Sequence, residues 1–407
     1  MAHAAEGMVS DEVMRYPFVE DDALDVSETF KELQQRGPCR IQLPIGPPCW
    51  LATRYDDVRT IFTDKRFSRM EPPGTDTPRM WPTHKTDPSM PLGMDPPDHI
   101  RLRRITSPVF SPKSIRALTD DFQRYVDDLL DGFEAAGPGA DFIALYAWDL
   151  PILVLTHMLG VPADDAKRFR HWVESLTAFA TPDDERLSCY QNLLGYIGEL
   201  IAVRRERHHD DLLGMLVSAR DEGDRLTEPE LVSTVNSLVT GGFETTASQL
   251  GSSVYALMSQ RHLWEELVDG RADMDAALEE LWRWVPGFRY GTMFVRFAKE
   301  DIELSHGVVI PAGEAIVPEQ NVANRDEAVF PHGWELDFHR VDPKPHLALG
   351  FGEHLCMGIH LAKIQVQLTL QSLVQRFPTL DLAIPASEVP WPPWTFMRMV
   401  QTLPLTW

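Results

Sequence analysis

The 407 residues of the chain, of which 43% are hydrophobic and 24% charged, have the composition of an ordinary globular protein rather than of a disordered one. The 61 acidic side chains outnumber the 38 basic ones, and the formal net charge of −23 argues against binding of nucleic acid or of an anionic membrane surface. The four cysteines form no C-x-x-C pair, which excludes a disulfide framework and a zinc ribbon and favours a reducing, cytoplasmic location.

The start of the chain predicts no targeting segment. Residues 1–14 contain neither a basic region nor an apolar run, and no stretch of about 18 apolar residues follows. We therefore expect a flexible N-terminal arm over residues 1–15, no signal peptide and no membrane anchor. Loosely alternating apolar residues over 39–53, around a Pro/Gly cluster at 44–48, predict a small β-hairpin.

A helix is expected from Tyr55, followed by a long irregular loop. Residues 71–98 are rich in Pro, Met and Asp and show no period. Long ordered loops inside compact folds are often functional. We therefore expect this loop to contribute to a binding site.

From residue 112 onward, helical periodicity dominates. The apolar face of the first helix consists of Ile115, Leu118, Phe122, Tyr125, Val126, Leu129, Leu130 and Phe133. Three more helices are expected between residues 144 and 207, and the capping-box spacing of Thr227 and Glu230 predicts a long helix that runs to about residue 260. Residues 274–284 predict a helix, 295–317 short strands, and 357–376 a long amphipathic helix. The expected fold class is mainly α with minor β, in one domain over residues 1–407.

A glycine-rich loop before the last long helix presents a cysteine. The loop reads Gly350-Phe351-Gly352-Glu353-His354-Leu355-Cys356-Met357-Gly358. The partial positive charge of a helix N-terminus and nearby backbone N–H groups stabilise a thiolate, which is the form that binds a transition metal. A lone cysteine is usually a small buried apolar residue, but its place in this loop favours a metal ligand.

Two adjacent glycines lie in the middle of the long predicted helix. Gly241 and Gly242 each cost about 1 kcal/mol relative to alanine in a helix interior, and close approach of a flat ligand would explain them. Glu244 and Thr245 follow and offer an acid and a hydroxyl for proton transfer. By itself, this segment is more typical of tight helix packing.

Two pairs of charged residues complete the pattern. Glu280 and Arg283 stand three residues apart on one helical face, as many surface pairs do. His99 and Arg103 stand four residues apart, a spacing that suits joint binding of an anionic group. The run His208, His209, Asp210 and Asp211 is interpreted as a solvated helix end, because adjacent helical residues point apart and do not converge on one metal ion.

Taken in their order along the chain, these four features resemble the cytochrome P-450 family, and the resemblance covers residues 16–407. The cysteine loop is similar to the family's haem-binding signature, F-G-x-G-x-H-x-C-x-G, with Leu349 in place of the first phenylalanine. The resemblance implies a cytochrome P-450 fold that holds heme b (iron protoporphyrin IX) between the long central helix and the cysteine loop. It also implies that Cys356 is the axial iron ligand, which favours O–O cleavage.

The resemblance assigns roles to the other motif residues. Glu244 and Thr245 look like the catalytic acid and alcohol that relay protons. Glu280 and Arg283, completed by Arg340, resemble the structural E-x-x-R cluster beside the haem. The residues implied to contact the haem, with the basic ones facing its propionates, are His99, Arg103, Arg296, His354, Cys356, Gly350, Phe351, Gly358, Gly241 and Gly242.

The substrate pocket of the family is formed by the long loop, the central helix, the segment after E-x-x-R and the C-terminal turn. In this chain these regions contain Met80, Trp81, Met90, Leu92, Met94, Asn236, Val239, Phe288, Tyr290, Thr292, Met293, Trp394 and Phe396. Methionine and aromatic side chains predict an adaptable apolar pocket, although each is equally typical of core packing. Asn236 is the most discriminating polar candidate.

The resemblance therefore implies a haem-thiolate monooxygenase that oxidises a lipophilic or polycyclic small molecule with O2 and two electrons, as a tailoring step of actinobacterial secondary metabolism. With no membrane anchor and no fused flavin domain expected, a ferredoxin and its reductase would supply the electrons, docking at basic residues such as Arg101, Arg104, Lys113 and Lys363. A cytoplasmic monomer without a nucleic-acid partner is expected. Oxidative C–C or C–N coupling of aromatic substrates remains an alternative. A non-catalytic recruitment module is a second alternative, but it has no need of Cys356, Glu244 and Thr245 together.

Overall fold

The computed structural model describes residues 13–18, 23–80, 90–177, 181–206, 211–221, 226–289, 295–341, 343–392 and 396–407. Residues 1–12 of the expected N-terminal arm lie outside this part of the chain. Met14–Arg15 form strand β1, which pairs in parallel with Ile41 and Gln42. The end of the expected flexible arm is therefore part of a sheet, because its backbone groups pair with an otherwise open strand edge.

The described chain is mainly helical, as its periodicity predicted. The helices are α1 (Thr29–Arg36), α2 (Tyr55–Thr63), α3 (Asp98–Thr106), α4 (Pro112–Arg116), α5 (Thr119–Ala136), α6 (Asp149–Leu159), α7 (Ala166–Thr177), α8 (Asp183–Glu206), α9 (Leu212–Asp221), α10 (Glu228–Gly242), α11 (Glu244–Ser259), α12 (Arg261–Val268), α13 (Met274–Trp284), α14 (Gln320–Ala323) and α15 (Ile359–Arg376). A π-helical turn covers Ile143–Ala147, and 3-10 turns cover Pro91–Gly93 and Gly352–His354.

The strands are short. They are β1, β2 (Cys39–Gln42), β3 (Cys49–Ala52), β4 (Phe67–Ser68), β5 (Ala140–Asp141), β6 (Arg296–Ala298), β7 (Ile302–Glu303), β8 (Val309–Ile310), β9 (Ala315–Pro318), β10 (Asp381–Leu382) and β11 (Pro404–Thr406). The main sheet has the order β1-β2-β3-β9-β6-β4, while β10, β11 and β5 form a second sheet and β7 pairs with β8. The predicted hairpin is confirmed as β2 and β3, in which Ile41 lies opposite Cys49.

The helix expected from residue 112 is two helices. Ser111 caps α4, since its hydroxyl accepts a hydrogen bond from the Ser114 N–H at 3.2 Å, and the chain turns before α5 begins at Thr119. Phe122, Val126 and Leu130, one or two turns apart on α5, are completely buried. The predicted apolar face is therefore correct for α5, and the prediction missed the turn.

The long central helix is broken in the middle. The predicted capping box is present at its start, where Thr227 and Glu230 exchange hydrogen bonds. α10 ends at Gly242, Phe243 departs from helical geometry at φ −97° and ψ −75°, and α11 begins at Glu244. The expectation of one helix to residue 260 was wrong because two glycines weaken the helix at the point where threonine hydroxyls bind its carbonyls.

Most of the described apolar residues form one helical core, in which Trp264, Tyr146 and Phe122 are the largest fully buried side chains. Two smaller apolar clusters cover the sheet. α11 packs against α15, so the broken helix and the helix that follows the cysteine loop are neighbours. Among the described residues, no helix has the length and apolarity that a membrane span requires.

Candidate active site

The cysteine loop is a turn that glycines make possible. Gly350 and Gly352 have φ of +75° and +68°, in the left-handed region that favours glycine. A Cβ on Gly352 would stand 2.9 Å from the carbonyl oxygen of Phe62. The Cys356 N–H donates to the Leu349 carbonyl at 2.8 Å, which closes the turn. The position of the sulfur is thus fixed by backbone contacts on both sides of the loop.

Two groups around Cys356 stabilise a thiolate. Burial raises the pKa of the thiol, whereas a hydrogen bond from the Gly358 N–H and the positive charge of Arg103 lower it. α15 begins three residues later at Ile359, so the positive end of the helix dipole also lies near the sulfur. Phe351 lies under the guanidinium of Arg59, whose Cζ is 5.2 Å from the ring centroid. This environment suits a sulfur that binds a metal.

Basic side chains from four segments converge beside this loop. The rings of His99 on α3 and His354 stack with their centroids 3.9 Å apart. Arg296 on β6 is buried, and so is Arg69, which follows β4. Burial and the charges of Arg103 and Arg69 lower the pKa of His99 to about 4, and burial and Arg69 also depress the pKa of His354. Both imidazoles are therefore neutral at neutral pH, while the guanidiniums carry the charge.

This cluster carries more positive than negative charge. Asp95 is a carboxylate among these groups, and it accepts hydrogen bonds from the Ser68 hydroxyl at 2.5 Å and the Arg69 backbone N–H at 2.9 Å. Its other neighbour is Lys299, with Nζ at 3.1 Å. The wall of the adjoining cavity also contains Asp64 and Glu353. The buried Nδ1 of His99 has no hydrogen-bond partner in the described part of the chain. An anionic group with several oxygen acceptors fits this place, and the two propionates of a haem meet that requirement.

A cavity of about 120 Å³ opens beside the cluster. Its wall includes Arg69, Arg296 and His354, with Asp95 and Lys299 at the same opening. The cationic groups are thus within reach of a molecule inserted between the sheet and the cysteine loop. Arg69 was missed in the sequence, because no local motif connects it with residues that follow it by 30 to 285 positions.

The break in the central helix faces open space. Gly241 is exposed although it lies in the middle of the central helical segment, and a Cβ added there would meet no atom of the described residues within 4 Å. A Cβ on Gly242 would instead stand 3.1 Å from the side chain of Leu155. The first glycine therefore leaves room for a ligand, whereas the second serves helix packing.

The polar residues after the glycines are arranged around this break. The Thr245 hydroxyl donates to the Gly241 carbonyl at 2.6 Å, and the Thr246 hydroxyl to the Gly242 carbonyl at 3.3 Å. Glu244 is buried, with 4% of its surface exposed. The hydroxyl of Thr245 thus lies beside the exposed Gly241, and a buried carboxyl group precedes it in the chain.

Glu280, Arg283 and Arg340 form a buried cluster. The Arg283 Nε and Nη2 atoms donate to the two Glu280 oxygens at 2.7 and 2.6 Å, and Arg340 Nε adds a bond of 2.7 Å. Arg283 also donates to the carbonyls of Asn324 and Gly333 at 2.6 and 2.7 Å. The cluster therefore connects α13 to the segment before the cysteine loop.

Several pocket candidates fall outside the described residues, namely Trp81, Tyr290, Thr292, Met293 and Trp394. Phe288 and Phe396 come together, with ring centroids 5.2 Å apart. Met94 and Val239 are buried in the helical core, and Met80 packs against one of the clusters on the sheet. Asn236 is also buried, and none of the residues that the structure describes forms a hydrogen bond with its Oδ1 atom.

The accessible face of α10 differs from the one expected. Asn236 and Val239 point into the packed interior, whereas Ser233, Ser237 and Thr240 are half-buried and recur at spacings of four and three residues, in phase with Gly241. Their hydroxyls bind the helix itself, as in the bond from Ser237 to the Ser233 carbonyl at 2.8 Å. The side of α10 that leads to the open space is thus lined by hydroxyl groups.

The expected docking residues are not equally available. Arg101 is ion-paired with Glu230 and Asp98, and Lys363 with Glu279. The run of two histidines and two aspartates at residues 208–211 is described only in part. Residues 208–210 lie outside the described part of the chain, and Asp211 forms an ion pair with Arg204 at 2.7 Å. Among the described residues, no group of three or more His, Cys, Asp or Glu is placed to hold a metal ion.

Known proteins resemble this chain over nearly its whole length. The family model "Cytochrome P-450" matches residues 272–397. Nocardicin C N-oxygenase of Nocardia uniformis subsp. tsuyamanensis is 41% identical over 403 residues, which cover 98% of this chain and all of that protein. Mycinamicin IV hydroxylase/epoxidase of Micromonospora griseorubida is 37% identical over 406 residues, with coverage of 98% and 100%.

The fold comparison agrees with the sequence comparison. The crystal structure of HinD with NMFT and NO superimposes with a TM-score of 0.92 at 41% identity, and the match covers 98% of this chain and 100% of that one. The two relatives named above are an N-oxygenase and a hydroxylase/epoxidase by their names. The chain belongs to the cytochrome P-450 family, and it is a haem b-binding monooxygenase of that family.

Proposed function

We propose that this monooxygenase tailors a lipophilic or polycyclic small molecule of secondary metabolism, with electrons from a ferredoxin. The observation that carries the proposal is the broken central helix, where the Thr245 hydroxyl binds the carbonyl of the exposed Gly241 and the buried Glu244 directly precedes it. A non-catalytic recruitment module has no need of an acid and a hydroxyl at that place. The N-oxygenase and the hydroxylase/epoxidase that resemble the chain support the tailoring role.

In this proposal, Cys356 binds the haem iron through Sγ, and the basic cluster binds the propionates. When bound, haem b supplies the activation of O2 and the insertion of one oxygen atom into the substrate. His99, Arg103, Arg296 and His354 hold the cofactor through charge-assisted hydrogen bonds. The Glu280–Arg283–Arg340 cluster does not react, and it stabilises the segment that leads into the cysteine loop.

Glu244 and Thr245 have the task of moving protons. Oxidation of R–H to R–OH by O2 consumes two electrons and two protons and releases one water molecule, so protons must reach a cavity that excludes bulk water. The Thr245 hydroxyl, held at 2.6 Å from the Gly241 carbonyl, stands at the edge of the open space. The Glu244 carboxyl is the proton source that reprotonates the Thr245 hydroxyl after it has donated its proton.

The hydroxyl-bearing side of α10 and one aromatic pair suggest which chemical groups the substrate carries. The hydroxyls of Ser237 and Thr240 donate to helix carbonyls, so their lone pairs remain available as hydrogen-bond acceptors. The Phe288–Phe396 pair offers an apolar surface. We therefore propose a substrate with an aromatic or aliphatic body and at least one N–H or O–H donor.

The docking face for the ferredoxin is proposed around α4. Arg104, Lys113 and Arg116 are exposed, and α4 packs against α15, the helix that follows the cysteine loop. Among the described residues, no ion pair neutralises these three charges. An acidic ferredoxin would therefore meet uncompensated positive charge close to Cys356, on a protein that is otherwise strongly acidic.

The haem assignment is tested by absorption spectroscopy of the reduced protein with carbon monoxide. Thiolate ligation by Cys356 places the Soret band at the long-wavelength position typical of the family, and Cys356→His should move it to shorter wavelength. Cys189→Ala is the matched control, because that cysteine is buried elsewhere. A long-wavelength band that survives in Cys356→His would refute the assignment.

The substrate proposal is tested by a spin-state shift screen. Secondary-metabolite intermediates with hydrogen-bond donors should bind more tightly than their O- or N-methylated analogues, and Ser237→Ala together with Thr240→Val should reduce that preference. Product analysis of the best binder then separates oxygen insertion from oxidative coupling. Equal affinity for donor and methylated forms would count against the hydroxyl-lined wall.

The docking proposal is tested by the rate of electron transfer from ferredoxin. Lys113→Glu and Arg116→Glu should slow the transfer and weaken its dependence on salt. Arg271→Glu serves as the control, because this exposed arginine is already paired with Asp269. If the α4 variants and the control accept electrons from ferredoxin at the same rate, the ferredoxin binds elsewhere on the protein.

A further inference from the structure

We propose that Ser248 and Ser252 of α11 are positioning residues, which set the distance between the substrate and Thr245. This role rests on the proposed function, in which Phe288 and Phe396 offer an apolar surface to the substrate. Neither serine belongs to the motif that contains Thr245.

The hydroxyl groups of Ser248 and Ser252 bind a distant part of the chain. Both donate to the backbone carbonyl of Arg398, at 3.1 and 3.2 Å. A serine inside a helix often bonds a carbonyl of its own helix instead, as Ser259 does to Tyr255 at 2.8 Å. Two hydroxyls from successive turns of α11 therefore hold one peptide group of the C-terminal segment.

This contact is buried on both sides. Only 1% of Ser248 and 1% of Ser252 is exposed. A hydroxyl that is removed from water is costly without a hydrogen bond, and so is a backbone carbonyl. A carbonyl oxygen has two lone pairs and can accept both hydroxyls at once. The three groups therefore satisfy one another, and the contact keeps α11 and the C-terminal segment together.

The carbonyl of Arg398 belongs to a two-stranded ladder, formed by residues 287–289 and 396–398, which we call the pocket wall. The Arg398 N–H donates to the Gly287 carbonyl at 3.1 Å, and an antiparallel bridge lies beside this bond. The same residue thus bonds the opposite strand through its N–H and α11 through its carbonyl. A shift of Arg398 would therefore move both strands of the wall.

Each strand of the pocket wall contributes one aromatic ring and is bonded to one helix. The rings of Phe288 and Phe396 have their centroids 5.2 Å apart. Asn321 on α14 bonds the first strand, because its Nδ2 atom donates to the Phe288 carbonyl at 2.8 Å. The two serines bond the second strand to α11. The aromatic pair is thus held in a fixed place between these helices.

The serines lie on the same face of α11 as the hydroxyl that is proposed to move protons. Thr245, Ser248 and Ser252 stand at i, i+3 and i+7, positions that share one face of an α-helix. At a rise of about 1.5 Å per residue, Ser248 lies about 4.5 Å from Thr245 along the helix axis. The pocket wall is therefore joined to α11 less than one turn from Thr245, and it holds the substrate at a set distance from that residue.

The test uses 4-phenylimidazole and imidazole as probes of the haem-loaded protein. A ring nitrogen of either compound binds the haem iron and shifts the Soret band, which measures affinity, and the phenyl group adds a ring that can contact the pocket wall. Ser248→Ala combined with Ser252→Ala should weaken binding of the phenyl compound about fivefold relative to imidazole. Binding must then order aromatic side chains that the parent protein already holds in place. Each single variant should weaken it about twofold, because the other hydroxyl still binds the carbonyl.

Ser253→Ala is the matched control. Ser253 is buried in the same helix and accepts a hydrogen bond from Gln249 Nε2 at 3.1 Å, so this change also removes a buried polar contact. The affinity ratio of the two probes should remain that of the parent protein, even if denaturant unfolding shows the same loss of stability as in the double variant. A double variant with the same ratio as Ser253→Ala would overturn the positioning role. If the double variant does not fold, the two single variants decide the question by the same comparison.

Phe396→Leu tests whether the serines act through the pocket wall. In this background the double serine change should lose most of its effect on the affinity ratio, because the ring that the serines hold is absent. An undiminished effect would mean that the serines act elsewhere, and it too would overturn the positioning role.

The same titrations separate this role from the proposed function. If imidazole causes no Soret shift in the parent protein, the haem placement is wrong. If imidazole binds but Phe396→Leu leaves the affinity for the phenyl compound unchanged, the proposed apolar surface is wrong. If both expectations hold and the serine variants behave as Ser253→Ala does, only the role of Ser248 and Ser252 is refuted.

Discussion

Two arginines share the carboxylate of Glu280 in the interior of the protein. Arg283 binds both of its oxygens, and Arg340 binds one of them from the segment after α14. The side chains of the three residues are between 2% and 8% exposed. A buried cluster of this kind is stable only when every charge in it has its partner.

We therefore expect Glu280→Gln to destabilise the protein strongly. The amide leaves two buried guanidiniums without a counter-charge, and the free energy of unfolding should fall by about 3–5 kcal/mol. Denaturant unfolding measures the change. Asp131→Asn, which removes an exposed partner of Arg376, should cost less than about 1 kcal/mol. Equal losses in the two variants would contradict the buried-cluster interpretation.

Thr245→Ala should separate O2 consumption from product formation. The hydroxyl at the edge of the open space is lost, while the helix around it remains, so proton delivery fails and reduced oxygen leaves as hydrogen peroxide. The measurement is peroxide released per electron pair, with a compound that gives a spin-state shift. Thr246→Ala is the matched control, because that hydroxyl is buried. Coupling that stays complete in Thr245→Ala would exclude the proton-transfer role.

Residues in local motifs were predictable, and residues brought together by distant segments were not. Cys356, Glu280 and Arg283 were identified because their spacing carries the chemistry within one loop or helix. Arg69 and Asp95 stand 26 positions apart and belong to the same cluster as Arg296 only through the pairing of β4 with β6. Short-range spacing contains no information about that pairing.

At the scale of elements, the central helix shows where periodicity misleads. The capping box at Thr227 correctly marked the start of α10. The break at Phe243 divides α10 from α11, which the periodicity did not predict. Asn236 was favoured as a pocket residue because it is polar and lies on the helix that the resemblance assigns to the pocket. In the structure Asn236 is buried, whereas Ser237 and Thr240 are half-buried.

The cysteine loop gives a prediction about its backbone. Gly352→Ala should lower haem occupancy and stability, because a Cβ there meets the Phe62 carbonyl at 2.9 Å and the residue must also keep φ at +68°. Gly74→Ala has a similar φ of +73° but no atom within 4 Å, so it isolates the conformational cost of about 1 kcal/mol. Thermal unfolding and the haem-to-protein ratio measure both. A loss no larger than that of Gly74→Ala would mean that the contact yields easily.

At the scale of the whole molecule, the main sheet joins parts of the chain that are far apart in sequence. It combines residues 14–15, 39–52 and 67–68 with residues 296–318. Local alternation predicted the hairpin at residues 39–53, but β1 and β4 have two residues each and offer no period. The single-domain organisation and the monomeric state stay predictions.

The free energy of unfolding of the protein depends on pH through the carboxyl group of Glu279. Burial opposes its ionisation, but the His346 ring, with Nε2 at 3.3 Å, and the hydrogen bond from Lys363 outweigh burial and lower the pKa of Glu279 to about 2, from 4.5. Its contribution to stability is therefore complete above about pH 4.5 and is lost as the pH falls towards 2. Glu279→Gln should lose less stability than the parent protein between pH 5 and pH 3, as measured by denaturant unfolding. Parallel pH profiles of the two proteins would disprove this linkage.

The carboxylate of Asp95 also fastens two distant points of the backbone. The carboxylate accepts hydrogen bonds from Ser68 and Arg69 at the end of β4, and the backbone carbonyl of Asp95 accepts a hydrogen bond from the His99 N–H at the start of α3. The two ends of the segment that covers residues 70–94 are thus held close to each other by Asp95. Substitutions within this segment are therefore expected to change what the protein binds more than they change the position of Cys356.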